Sequence, residues 1–145
     1  MKNTADTISL LEEVCAGARM GSDSLDDMRK KVSDQKLDEI LKEFRDKHIT
    51  IADEAQDMLS KFGEADKEPP MMAQMMSTLK TNVKLMADDS DATVADLVTD
   101  GCNMGIKTLS KRVNECALAD RHAHDTARKL IDLETDLLKQ VRCYL

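Results

Sequence analysis

At 145 residues the chain is long enough for one domain with a real core and too short to expect two. Charged residues make up 34% and aromatics 2%, with two prolines and no tryptophan, a bias that favours helices and leaves a sheet without its β-branched and aromatic residues. A net charge of −7 with no basic stripe argues against nucleic acid as the main partner, and no window reaches the roughly 18 apolar residues of a membrane span.

The opening segment MKNTADTISLLEEV has acids early and no apolar run of signal-peptide length. The four cysteines, Cys15, Cys102, Cys116 and Cys143, form neither a CxxC nor a spaced zinc pattern. The expectation is a reduced, cytoplasmic protein whose thiols pack as small hydrophobes.

The first helix is predicted over about 5–31, with Thr4 as N-cap and an apolar stripe of Leu11, Val14, Ala18, Gly21, Leu25 and Met28 at spacings of three and four. Ser33 or Asp34 caps a second helix over about 34–62, with the stripe Leu37, Leu41, Phe44, His48, Ile51, Ala55 and Met58, stopped at Phe62-Gly63. So short a link makes the two an antiparallel hairpin. After GEADKEPP, Met72, Met75 or Met76, Leu79, Val83 and Met86 share one face of a short helix over 71–87, which begins behind two prolines. Ser90 or Asp91 then opens a third long helix over 91–116, with Ala95, Val98, Cys102, Gly105, Leu109 and Val113 inward. A tight link near Ala117–Asp120 leads to a fourth over 120–143, with Ala123, Ala127, Leu130, Glu134, Leu137 and Val141 inward.

Connections that run short, long, short describe two hairpins joined by a crossover. The hairpins also echo one another. Gly17-Ala18-Arg19-Met20-Gly21 matches Gly101-Cys102-Asn103-Met104-Gly105 at an offset of 84, and the second and fourth helices align at an offset of 86, which pairs His48 with Glu134. Glycine inside a helix costs about 0.5–1 kcal/mol relative to alanine. Its repetition at Gly17, Gly21, Gly101 and Gly105 is expected to mark a close approach of two backbones, inside the bundle or across a dimer interface.

His48 and Glu134 each interrupt an otherwise apolar stripe, so both should point inward. The helix pattern, the crossover and this inward pair resemble the ferritin-like superfamily, particularly its small uncharacterised bacterial members. The resemblance implies an all-α, ferritin-like four-helix bundle of two antiparallel hairpins with a long crossover carrying a short helix. It also implies a metal site built from a Glu on each of two helices and a Glu-x-x-His on each of the other two. Here His48 stands for the histidine, but Arg45 occupies the carboxylate position before it, and Leu137 follows Glu134 three residues on. Glu12 or Glu13 from the first helix and Asp96 or Asp100 from the third would have to complete such a site. The site is therefore expected to be degenerate or absent.

Two readings stay open for the pair: a hydrogen-bonded core contact, or one metal held by His48 and Glu134 with Glu12, Cys15 or Cys102 as further donors, a mixed set suited to iron, zinc or copper. His122 and His124, two apart on a helix, point away from each other and read as a solvated helix start. The Asp88–Asp91 acids lack an EF-hand's glycine and closing Glu and read as capping. Met71–Met76 reads as a polarizable lid on the bundle ahead of a metal or membrane role, and whether that lid is also an adaptable partner surface stays open at this point.

No nucleophile with a base, no phosphate loop and no acid pair is visible, and no cofactor is predicted. The functional expectation is a non-catalytic bundle acting through protein association, as a homo-oligomer or with another protein. The alternative is a metal-binding or redox protein centred on His48 and Glu134.

Overall fold

The computed structural model describes residues 3–62 and 90–145. The expected 71–87 helix and its methionines lie outside them. Four long helices account for most of the described chain: α1 (Thr4–Arg29), α2 (Gln35–Leu59), α3 (Asp91–Glu115) and α4 (Arg121–Val141), followed by a short 3₁₀ turn, Arg142–Tyr144. All lie within three residues of their expected bounds at both ends.

Each start has a chemical cause. Asn3, rather than Thr4, caps α1, its Oδ1 accepting from the Asp6 amide at 3.2 Å. Asp34, Ser90 and Asp120 cap the other three in the same way, each side chain accepting from an amide three residues on. The α2 helix ends at Leu59 with Ser60 as its C-cap, short of the expected stop at Phe62.

The apolar stripes form the core. Leu11, Val14, Leu37, Leu41, Ala55, Leu109, Ala123, Leu130 and Val141 are all essentially inaccessible. Their burial from several helices at once is what makes marginal isolated helices stable.

Polar contacts fix the helix directions. The start of α1 lies against the α3–α4 turn, where the Asn3 amide donates to the Leu118 carbonyl at 2.8 Å and the Asp120 amide to Thr7 Oγ1 at 2.9 Å. At the far end the Ser33 and Asp34 amides donate to the two Asp91 carboxylate oxygens at 2.8 and 3.0 Å. So α1 runs antiparallel to α3 as well as to α2, and parallel to α4. The chain leaves α2 at one end of the bundle and enters α3 at the other. Two antiparallel hairpins thus dock side by side, and their stripes meet in the middle.

Candidate functional site

The site is assembled from one side chain of α2 and one of α4, backed by the small residues of α1 and α3. His48, fully buried, lies in the centre of the α2 stripe, and Glu134, 7% exposed, in the centre of the α4 stripe. His48 Nε2 and Glu134 Oε1 are 2.6 Å apart, and Nδ1 is 2.6 Å from the Phe44 carbonyl one turn earlier. A carbonyl only accepts, so Nδ1 carries a proton, and in the protonated ring Nε2–H donates to the Glu134 carboxylate. Burial pulls the imidazole pKa down, but the Glu134 hydrogen bond and charge, with the Phe44 carbonyl, outweigh it, and the net direction is up.

Cys102 on α3 completes the cluster. Burial, then the Glu134 carboxylate beside it, push its thiol far above the ordinary cysteine value, so it is held as a neutral donor beside the acid and not as a nucleophile. All four cysteines are free, with Cys143 alone exposed.

Gly21 is explained by this pair. A Cβ on Gly21 would overlap the His48 ring, closest at Cδ2 and 2.7 Å from Nε2. The close approach at Gly21 is therefore of a buried side chain to a backbone, and not of two backbones as the repeated glycines suggested. Gly17, Gly21 and Gly101 border a pocket of ≈ 50 Å³ whose floor is His48, Glu134 and Cys102. Gly105 is buried but does not border it.

The other expected donors do not join. Cys15 sits in the α1–α2 seam, its sulfur 3.9 Å from the Ala52 carbonyl and 3.7 Å from Gln56 Oε1. Burial raises its pKa, and Glu12 is among the charges near it, so Glu12 belongs to that seam too. Asp96 and Asp100 are exposed. Arg45, at the position where a ligand carboxylate was sought, turns outward to Asp26 at 2.6 Å and Asp46 at 2.9 Å. The di-metal pattern of the ferritin-like resemblance does not fit these residues. Among the described residues no three His, Cys, Asp or Glu side chains converge well enough to hold an ion. His122 is exposed and His124 half-buried on the first turn of α4, as a solvated helix start requires.

One buried pair escaped the sequence. Glu13, fully buried, accepts from Arg112 Nε at 3.1 Å, and Arg112 Nη1 also reaches Glu115 at 3.2 Å. The signal was present: the offset of 84 that relates Leu25 to Leu109 relates Met28, a stripe residue, to Arg112.

Ser24, on the pocket wall and 6% exposed, has its hydroxyl fully buried with no hydrogen-bond partner among the described residues. An orphaned buried hydroxyl costs about 1–3 kcal/mol.

No family model and no curated protein matches the chain. Among solved structures it is similar to YcfI, "a putative structural protein from Rhodopseudomonas palustris", with a TM-score of 0.70 at 10% identity over 93% of this chain and 89% of that one. At that identity the likeness is one of fold, an all-helical bundle.

Proposed function

We propose that the chain is a ferritin-like bundle without a di-metal centre that acts by protein association, first with itself, and not by chemistry. The observation that carries the reading is the closure of the acid–base pair. Both nitrogens of His48 are spent on Phe44 and Glu134 at 2.6 Å, and the neighbouring Cys102 is held protonated. A general base needs a free lone pair toward substrate, and a nucleophile needs a thiolate. Neither is available. The four free cysteines support a reducing cytoplasm as its compartment. The description of YcfI as a structural protein supports the non-catalytic half of the reading.

Size-exclusion chromatography with light scattering tests association. A dimer or larger species at micromolar concentration is expected, and a monomer at every concentration would overturn it.

A second reading, a metal-binding or redox protein, draws on the nitrogen, oxygen and sulfur donors that share one pocket floor. It requires the 2.6 Å hydrogen bond to open so that both donors turn to the ion, and a deprotonated Cys102 for zinc or copper. Elemental analysis of tag-free protein separates the two readings. Stoichiometric iron, zinc or copper that disappears in His48→Ala would establish the second.

A further inference from the structure

The chain leaves α2 at one end of the bundle and enters α3 at the other, and residues 63–89 make the connection. A helix of 25 residues, such as α2, is about 37 Å long. The helix predicted from the sequence over 71–87 would cover about 25 Å of that distance, and the residues on either side of it the rest. Helices α2 and α3 lie on the long diagonal of the bundle, with α1 and α4 between them. The connection therefore passes along the bundle over α1 or over α4.

These two flanks differ in chemistry. Over α4, the groove between α2 and α4 is lined by Lys47, Glu54, Lys129, Asp132 and Asp136. Over α1, the seam with α2 is crossed by the Arg45–Asp26 and Arg29–Asp38 ion pairs. The groove between α1 and α3 has no charge on its walls. Met20 and Met28 of α1 stand across it from Leu97 and Val98 of α3, and it is half-open to the outside, where Gly17 and Gly101 present no side chain. Among the described residues no element lies over it.

We propose that the groove between α1 and α3 is the docking seat of residues 72–86 of the same chain, with the face made by Met72, Met75, Met76, Leu79, Val83 and Met86 turned into it. Reach allows it, since the connection has to travel this distance in any case. Charge selects it. Laid over the α2–α4 groove, the same face would strip water from five charged side chains and give them nothing in return. Laid between α1 and α3, it meets methionine, leucine and valine, while Lys80 and Lys84 on its other side stay in water. Shape favours it too, because glycine walls admit a close approach and methionines adapt to an irregular surface. A second copy is the poorer occupant. The large, well-exposed apolar side chains among the described residues, Ile49, Leu118 and Leu145, stand on three different elements and make no stripe that could fill a groove. The proposal does not rest on the association reading; it assigns this groove to the chain itself and leaves association to another face.

The test uses the full chain labelled with ¹³C at methionine and leucine methyls, with contacts to Met20 and Leu97 read as nuclear Overhauser cross-peaks. Cross-peaks to Met75, Met76 or Leu79 are expected. They should be missing from the isotope-filtered spectrum of a mixture of labelled and unlabelled protein, because the contact lies within one chain. Leu79→Asp should speed amide exchange over 72–86 by about tenfold or more and leave α1 to α4 within about twofold of the parent. Leu97→Asp, on the half-buried wall, should release the same residues from the other side, and Lys129→Ala, on the α2–α4 groove, should not. Cross-peaks that arise only between differently labelled chains would overturn the proposal in favour of a second copy. Exchange over 72–86 as fast in the parent as in an unstructured peptide, or methionine cross-peaks to Ile51 and Leu133 instead, would overturn it outright.

Discussion

His48 has two ring nitrogens and two acceptors, and that balance governs the centre of the bundle. The imidazolium is tolerated at zero exposure only because Glu134 supplies the countercharge and Phe44 the second acceptor. Removing either partner strands the other, so His48→Ala and Glu134→Ala should each cost about 3–5 kcal/mol. His48→Leu combined with Glu134→Met should cost less than either single change, because no charge is left behind. The same pair dictates a pH response. The folded pKa of His48 lies above the unfolded value of about 6.5. Its contribution is therefore complete below about pH 6.5 and is lost as pH rises through the folded value, with a limiting slope of about 1.4 kcal/mol per pH unit. Buried Cys102 and Cys15, also raised, act in the same direction only above about pH 8.5. Urea unfolding between about pH 6.5 and pH 8 should thus show stability falling in the parent and flat in the double variant that combines His48→Leu with Glu134→Met. A flat parent would mean that the pair is not charged as described.

At the scale of the elements, Asp91 does two tasks. It stands in the first turn of α3, where the helix dipole favours an acid, and its two oxygens accept the Ser33 and Asp34 amides from the turn between α1 and α2. Asp91→Ala should cost about 1–2 kcal/mol and speed amide exchange at Ser33 and Asp34. Asp91→Asn, which keeps one acceptor oxygen, should cost about half as much. Unchanged exchange at both amides would show that the link is not maintained in solution. Helix existence, stripe membership and the short links were legible because three-and-four spacing repeats over some 25 residues and fixes a face. Ends were less so. Asn3 and Thr4 are both good caps, and only the geometry of one turn separates them. Glu13 and Arg112 were hidden for a different reason. A charged residue beside an apolar stripe reads as its solvated edge, and only the partner on another helix turns it inward. His48 and Glu134 escaped that fate because each sits at the centre of its stripe, with apolar residues on both sides.

At the scale of the whole molecule, the described residues form two hairpins with two buried polar pairs, and each pair joins one hairpin to the other. Glu13 and Arg112 tie α1 to α3, while His48 and Glu134 tie α2 to α4. Apolar stripes rich in Leu and Ala make a nearly uniform surface, and such surfaces can slide by a helical turn at small cost. A buried ion pair adds little net stability, but a slipped register leaves it broken at a cost of about 3–5 kcal/mol. The pairs should therefore select the docking register more than they stabilise it. The test is a variant with both pairs replaced, Glu13→Leu, Arg112→Met, His48→Leu and Glu134→Met. It should unfold at urea concentrations no lower than the parent, yet give broadened or doubled amide resonances along α3 and α4. Sharp, single resonances with parent-like long-range contacts would show that packing alone, with Gly21 still shaped for an absent imidazole, is enough to choose one arrangement.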